Sequence, residues 1–151
     1  MNLTENPEIV TWPEIHYVFV ERIGPFQNTA PQAWQDIHQF VPRILERNKI
    51  TTYTSLYKAA PQIYRAGVSI AAPPDDLPAG LQYTKFKGGK YSRFLLTGPY
   101  TDLPAASGRV FQIVAERKIS LRDDFCIENY LNDPGITPEP RLLTEILIPT
   151  V

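Results

Sequence analysis

Apolar and polar positions change period several times along the chain, and each change marks an element. Residues 8–23, "EIVTWPEIHYVFVERI", are rich in β-branched and aromatic side chains and broken by Pro13, which predicts two short strands or one bent strand. "GPF" (24–26) stops this run. Trp34, Ile37, Val41, Ile44 and Leu45 then recur at helical spacing as far as Asn48. That predicts one amphipathic helix with Asn28 or Thr29 as N-cap, Pro31 in its first turn and a kink at Pro42. The stretch 51–62, "TTYTSLYKAAPQ", has no clear period and is expected to be loop, with room for one helical turn. Strands are predicted at "IYRAGVSIA" (63–71) and "LQYTKFK" (81–87), separated by the proline-rich "APPDDLPAG". "GG" at 88 and 89 predicts a hairpin turn into the strand "KYSRFLLT" (90–97). A second stop, "GPY" (98–100), precedes a helix over 103–118 with Val110, Ile113 and Val114 as its apolar stripe. Strands "FCIENYL" (125–131) and "LLTEILIP" (142–149) follow, joined by the loop "NDPGITPEPR".

These elements repeat. Tyr17, Gly24, Pro25 and Phe26 recur at one constant offset as Tyr91, Gly98, Pro99 and Tyr100. Each half runs strand, "GP" plus aromatic, helix, "KI" (Lys49-Ile50 and Lys118-Ile119), strand, strand, so the chain carries an internal duplication. Two copies are too few for a solenoid. The expected fold is α+β: a single domain over 1–151, built of pseudo-repeats at about 8–87 and 88–151. Its strands would form a curved antiparallel sheet with both helices on one face and a ligand cleft between the modules.

Composition removes several functional classes. At 151 residues the chain can bury a sizeable core, and 43% hydrophobic with 21% charged residues is ordinary for a globular protein. A formal charge of −1 with no run of either sign lacks the basic footprint of a nucleic-acid binder, and the strand pattern begins too early to leave room for a preceding helix-turn-helix. One cysteine, Cys126, and two scattered histidines, His16 and His38, supply no set of zinc ligands and no Cys-His dyad, so neither metal nor cofactor is expected. No apolar run reaches the length of a membrane span and the N-terminus lacks a signal-peptide pattern, which makes the cytoplasm the default location.

"YRAGVSI", "LPAGLQYTKFKGGKYSRFLLTGPYTDLPAA" and "CIENYLNDPGITPEPRLLTEILIP" together resemble the GyrI-like effector-binding domain, found alone or fused to AraC-type and MerR-type DNA-binding domains. The similarity covers nearly the whole chain and is strongest from Gly80 to Pro149. It implies tandem strand-helix-strand-strand modules with a ligand cleft between them and a pocket carboxylate on the strand before "NDP", which falls on Glu128; with no room for a helix-turn-helix ahead of it, the domain is expected to be stand-alone. It also implies binding of drug-like, cationic or aromatic molecules. Some stand-alone members inhibit DNA gyrase, and others look like hydrolases of cyclopropane-bearing toxins. Arg65 stands where many members carry an acidic residue.

The residues themselves add a physical reading. Strand alternation groups Cys126, Glu128 and Tyr130 on one face and Ile127, Asn129 and Leu131 on the other, the second being the face expected to pack on helices. By composition alone Glu128 reads first as a solvated glutamate on an open sheet face; the resemblance favours a carboxylate that anchors a cation or moves a proton. Tyr130, Trp34, Tyr64, Tyr91, Tyr100 and Phe26 are the aromatic candidates for gripping a flat or cationic ligand. Trp34 is equally at home in core packing and Tyr64, Tyr91 and Tyr130 in an ordinary sheet edge, while Phe26 and Tyr100, after the two "GP" turns, read first as plugs at the ends of the modules. Glu145 is expected either to pair with Glu128 or to serve a structural hydrogen bond. "KFKGGK" (85–90) opens no helix and so reads as a hairpin with solvated lysines rather than a phosphate loop. The expected function is to hold a small hydrophobic, aromatic or cationic compound, as effector or multidrug binding or toxin protection, with Glu128 as polar anchor. The alternatives are a cyclopropanoid-type hydrolase using Glu128 with a tyrosine, and a gyrase inhibitor acting through protein contact.

Overall fold

In a computed structural model describing residues 1–151, nine strands and two α-helices follow one another in the chain. They are β1 (Asn2–Leu3), β2 (Glu8–Trp12), β3 (Ile15–Ile23), α1 (Phe26–Leu45), β4 (Ile50–Ala59), β5 (Gln62–Ile70), β6 (Gln82–Phe86), β7 (Gly89–Thr97), α2 (Leu103–Glu116), β8 (Cys126–Tyr130) and β9 (Leu143–Pro149). Every strand pairing described below is antiparallel, and the chain divides into two units, residues 13–88 and residues 1–12 with 89–151. Neither helix is long and apolar enough to cross a membrane.

In the first unit, residues 13–88, β5 pairs on one side with β4 and on the other with β3, whose far side takes β6. The stretch expected as loop is the ten-residue strand β4. Its Thr-Tyr-Thr-Ser run hid the period because the buried positions are hydroxyls: Thr54 and Ser55 are both fully buried. Threonine and tyrosine suit a pleated surface, and these hydroxyls are hydrogen-bonded inside it, Thr54 to Thr52 at 3.0 Å and Ser55 to Tyr64 at 2.7 Å.

Gly67 of β5 leaves room for the ring of Tyr17. A Cβ there would stand 2.7 Å from that ring and 2.5 Å from the Val18 carbonyl oxygen. The Tyr17 hydroxyl then donates to the Thr54 carbonyl at 2.7 Å, stitching β3 to β4 over the intervening strand.

The helix α1 begins earlier than its pattern indicated. Phe26 is already helical after Pro25, and the Thr29 hydroxyl donates back to the Pro25 carbonyl at 3.1 Å instead of capping the start. The helix runs through Pro31 and Pro42 to Leu45 and lays Ala33, Ile37 and Ile44 on the sheet. Asn48 closes its end, with Nδ2 donating to the Ile44 carbonyl at 3.2 Å.

In the second unit, β7 pairs with both β1 and β2 on one side and with β9 on the other, and β9 also pairs with β8. The strand Glu8–Trp12, read from sequence as the opening of the first repeat, therefore belongs to this unit. The glycine pair at 88 and 89 is not a hairpin, because β6 pairs with β3 while β7 pairs with β9. Two consecutive positive φ angles, 72° and 126°, turn the chain from one unit to the other. On the helix-facing side, Phe94, Leu96, Ile146 and Ile148 pack with Ala106, Val110, Ile113 and Val114 of α2, and Cys126 joins their edge. Removing each such aliphatic side chain from water contributes about 2 kcal/mol.

The duplication is visible in three dimensions. β3-α1-β4-β5 and β7-α2-β8-β9 have the same order, with Gly24 (φ 130°) and Gly98 (φ 144°) at the strand-to-helix turns. Both angles are ones that side chains disfavour, which explains a "GP" at each turn.

Candidate functional site

Glu128 sits in the middle of β8, opposite Ile146 of β9. Cross-strand partners share a face, and Ile146 belongs to the cluster under α2, so Glu128 faces the helix. The expectation that Ile127, Asn129 and Leu131 form the helix-packed side is therefore reversed. Ile127 and Asn129 are buried on the other face, while Leu131 is largely exposed.

On the α2 side the Glu128 carboxylate accepts a hydrogen bond from the Tyr130 hydroxyl at 2.9 Å. Burial raises the carboxyl above the usual range, and the neutral hydroxyls of Tyr130 and Ser107 only partly oppose it. Tyr100, ahead of α2, sets its ring edge-on to Tyr130 with centroids 5.4 Å apart. Burial also raises the Cys126 thiol, to about 12, with the charges of Glu128 and Asp124 adding to it. Thr144, across from Tyr130, is fully buried and its hydroxyl has no hydrogen-bond partner.

The first unit repeats this arrangement with different chemistry. Phe26, equivalent to Tyr100, meets Tyr57 edge-on with centroids 5.6 Å apart, as Tyr100 meets Tyr130. Two residues before Tyr57 on β4 is Ser55, which thus occupies the place of Glu128. The indole N–H of Trp34 on α1 reaches Ser55 Oγ at 3.1 Å and the Tyr64 hydroxyl at 2.8 Å. Tyr64 stacks on Tyr57 at 6.5 Å, and its ring lies 5.9 Å from Phe26. Phe26, Trp34 and Tyr64 thus gather around Ser55 in this unit, while Tyr100 and Tyr130 accompany Glu128 in the other.

A groove of about 310 Å³ also opens in the first unit, lined by Arg22, Asp36, Gln39, Phe40, Gly80 and Gln82 among others. Its principal charges are already joined, Arg22 to Asp36 at 2.7 Å.

A family model described as the GyrI-like small molecule binding domain matches residues 5–151. The chain belongs to the GyrI-like family. Among curated proteins nothing matches. Solved structures with the same fold include the EcmrR C-terminal domain, 16% identical, with a TM-score of 0.81 over 100% of this chain and 99% of that one. SAV2435 bound to tetraphenylphosphonium is 13% identical, with a TM-score of 0.75 over 96% and 93%. A hydrolase from Listeria innocua is 12% identical, with a TM-score of 0.60 over 97% and 92%. In the EcmrR–DNA complex this chain covers only 57% of the longer protein.

Within this GyrI-like domain the remaining candidates lie elsewhere. Tyr91 is fully buried on the face of β7 away from α2, and its hydroxyl donates to the Phe125 carbonyl at 2.8 Å. Glu145 also faces away from Glu128; it is held by Arg93 and by Asn129, whose Nδ2 donates to it at 2.8 Å. That is the structural hydrogen-bonding alternative, and the carboxylate pair with Glu128 is excluded by alternation. Arg65 lies on the face opposite Tyr64, 2.8 Å from Glu21 and over the Phe19 ring at 4.4 Å. Sequence reasoning missed Ser107, Ser55 and Thr144. Their only signal is small hydroxyl residues set in otherwise apolar or helical surroundings, which alone does not single out a site.

Proposed function

We propose that this GyrI-like small-molecule binding domain takes up an aromatic or lipophilic cation, with Glu128 as its counter-charge. The observation that carries this reading is a carboxylate on the α2 side of β8, beside Ile146 of the apolar cluster, whose hydrogen-bond partner is the neutral Tyr130 hydroxyl. Burying an ion without an opposite charge is unfavourable, and a cation beside Glu128 would relieve that while the Tyr100 and Tyr130 rings add cation–π attraction of about 1 kcal/mol each. Tetraphenylphosphonium bound to SAV2435, a protein of the same fold, supports this ligand class. Titrating tetraphenylphosphonium into wild type and Glu128→Gln tests it: the variant should bind at least about tenfold more weakly. Equal affinities would sink the anchor role.

A second reading rests on the same pair. A carboxyl raised by burial and 2.9 Å from a tyrosine hydroxyl is suited to general acid/base chemistry. Turnover of a cyclopropane-bearing substrate that is lost in Glu128→Gln would establish it, and no turnover across a panel would remove it.

A further inference from the structure

We infer that the outer edge of β3 over residues 20–23 is a docking site for an extended peptide strand of another protein. The strand adds itself antiparallel to β3, in the groove beside α1, with an amide side chain opposite Arg22 and an apolar one over Phe40. This site is independent of the reading of Glu128.

The second unit has the same edge filled. The offset that carries Tyr17 onto Tyr91 also carries β2 onto β6 and residues 20–23 onto residues 94–97. β6 pairs with residues 15–19 of β3, as β2 pairs with residues 89–93 of β7. Past the end of β2, the edge of β7 is covered by β1, with Asn2 facing Thr97 and Leu3 facing Leu96. Thr4 adds two bonds to Leu95, its N–H donating to the carbonyl at 3.0 Å and its Oγ1 accepting from the N–H at 2.8 Å. Past the end of β6, residues 20–23 pair with β5 on their inner side and with no strand on their outer side. Glu21 stands where Leu95 stands. Gly24 and Gly98 both donate inward, to the carbonyls of Gln62 and Leu142, so by alternation Glu21 turns its own N–H and carbonyl outward as Leu95 does. The groove of about 310 Å³ runs along this bare edge, lined by Val20, Glu21 and Arg22 of β3 and by Asp36, Gln39 and Phe40 of α1.

The chain ahead of β6 is unsuited to fill this edge itself. At the repeat offset Asp76, Leu77 and Pro78 match Asn2, Leu3 and Thr4. Pro78 has no N–H to give the Glu21 carbonyl, where Thr4 supplies one to Leu95. Instead the Pro78 carbonyl accepts from the Leu81 N–H at 3.3 Å in a turn, and Leu77 and Pro78 lie beside Arg43 and Arg47 at the end of α1.

The lining selects the peptide. Opposite Leu96, Leu3 packs on the apolar cluster under α2. Opposite Arg22 the seat is polar: Nε and Nη2 both donate to Oδ2 of Asp36, at 2.9 and 2.7 Å, so Oδ1 retains acceptor capacity. An amide side chain there accepts from the guanidinium and donates to the carboxylate. Two residues after Leu3, Glu5 is held by Arg109 of α2 at 3.0 Å. Counting back from Lys118 and Lys49, Arg109 corresponds to Phe40, and the same count matches buried Ala106 and Ile113 to buried Ile37 and Ile44. An apolar side chain therefore takes the place of the glutamate.

Amide NMR of the full chain, titrated with peptides, provides the test. The probe is the heptapeptide of residues 1–7 carrying Leu3→Gln and Glu5→Leu, compared with the unaltered heptapeptide. The probe should shift the amides of residues 20–23 and of the α1 residues along the groove, and slow exchange of the Glu21 N–H about tenfold or more at saturation. It should bind several-fold more tightly than the unaltered heptapeptide. Phe40→Arg should reverse that preference, because its guanidinium pairs with the glutamate. Binding that leaves the Glu21 N–H unprotected, the same preference in Phe40→Arg, or no binding across a panel varying those two peptide positions would overturn the inference. Shifts at residues 20–23 on concentrating the protein alone would overturn it as well, by giving the edge to a second copy.

Discussion

Tyr130 donates its hydroxyl to Glu128 across 2.9 Å, two residues along the same strand and on the side of the sheet that carries α2. The bond holds the carboxylate among apolar and neutral side chains, and this sets the pH behaviour of the fold. The folded-state carboxyl is raised above its unfolded value, so the native state holds a proton that the unfolded chain gives up more readily. Its stabilising contribution is complete below the unfolded value and is lost as pH rises through the folded one. Glu128→Gln should therefore unfold at higher denaturant than wild type at about pH 8, with the difference closing below about pH 4. Urea titrations at both pH values check this, and a variant less stable at the higher pH would contradict it.

Glu145 is the opposite case. It sits between Arg93 and Asn129 with its side chain 12% exposed, so its removal leaves the half-buried Arg93 guanidinium with only the 3.6 Å contact to Glu8. Glu145→Ala should cost about 2 kcal/mol of stability, reduced from the fully buried case by the remaining solvent access. Cation affinity should be unchanged, because the side chain faces away from Glu128. Denaturation and binding measured on one preparation separate the two effects.

Gly67 permits the crossing of Tyr17 over β5. A methyl group there would collide with the Val18 carbonyl and the Phe19 Cβ, both on backbone that cannot swing aside. Gly67→Ala should destabilise the protein by about 3 kcal/mol or more. A thermal melt within a degree or two of wild type would show that β3 and β5 separate more easily than their packing indicates.

Cys126 should be inert despite its partial exposure. With the thiol raised to about 12, thiolate is scarce near neutral pH. Alkylation at about pH 8 should be at least a hundredfold slower than for an unfolded cysteine and should become fast on adding denaturant. Rapid labelling of the folded protein would mean that the Cys126 side of β8 opens.

Much of this architecture was legible in residue patterns, and the exceptions share physical causes. The duplication was readable because its marks are backbone requirements: glycines at positive φ before each helix, then a proline and an aromatic ring. β4 was not, because Thr54 and Ser55 are buried beside Leu56 and Tyr57, and Ser55 is satisfied there by Trp34 of α1 and Tyr64 of β5, partners that a local period does not reveal. The turn at Gly88-Gly89 was recognised while its role was missed, since strand partners are chosen by non-local pairing. For the site, alternation correctly grouped Cys126, Glu128 and Tyr130. It could not say which side α2 covers, because "LLTEILIP" offers apolar residues to both faces, Ile146 and Ile148 to one and Leu147 to the other. Ser107 carried no pattern at all.

The central claim is that a bound cation is neutralised by the Glu128 carboxylate, and proton linkage tests it most directly. Calorimetric titration of tetraphenylphosphonium, in buffers of different ionisation enthalpy and at a pH where Glu128 is partly protonated, measures protons released on binding. The account predicts release approaching about one proton per ligand in wild type and none in Glu128→Gln. Binding without proton release in wild type, or with the same release in both proteins, would contradict it.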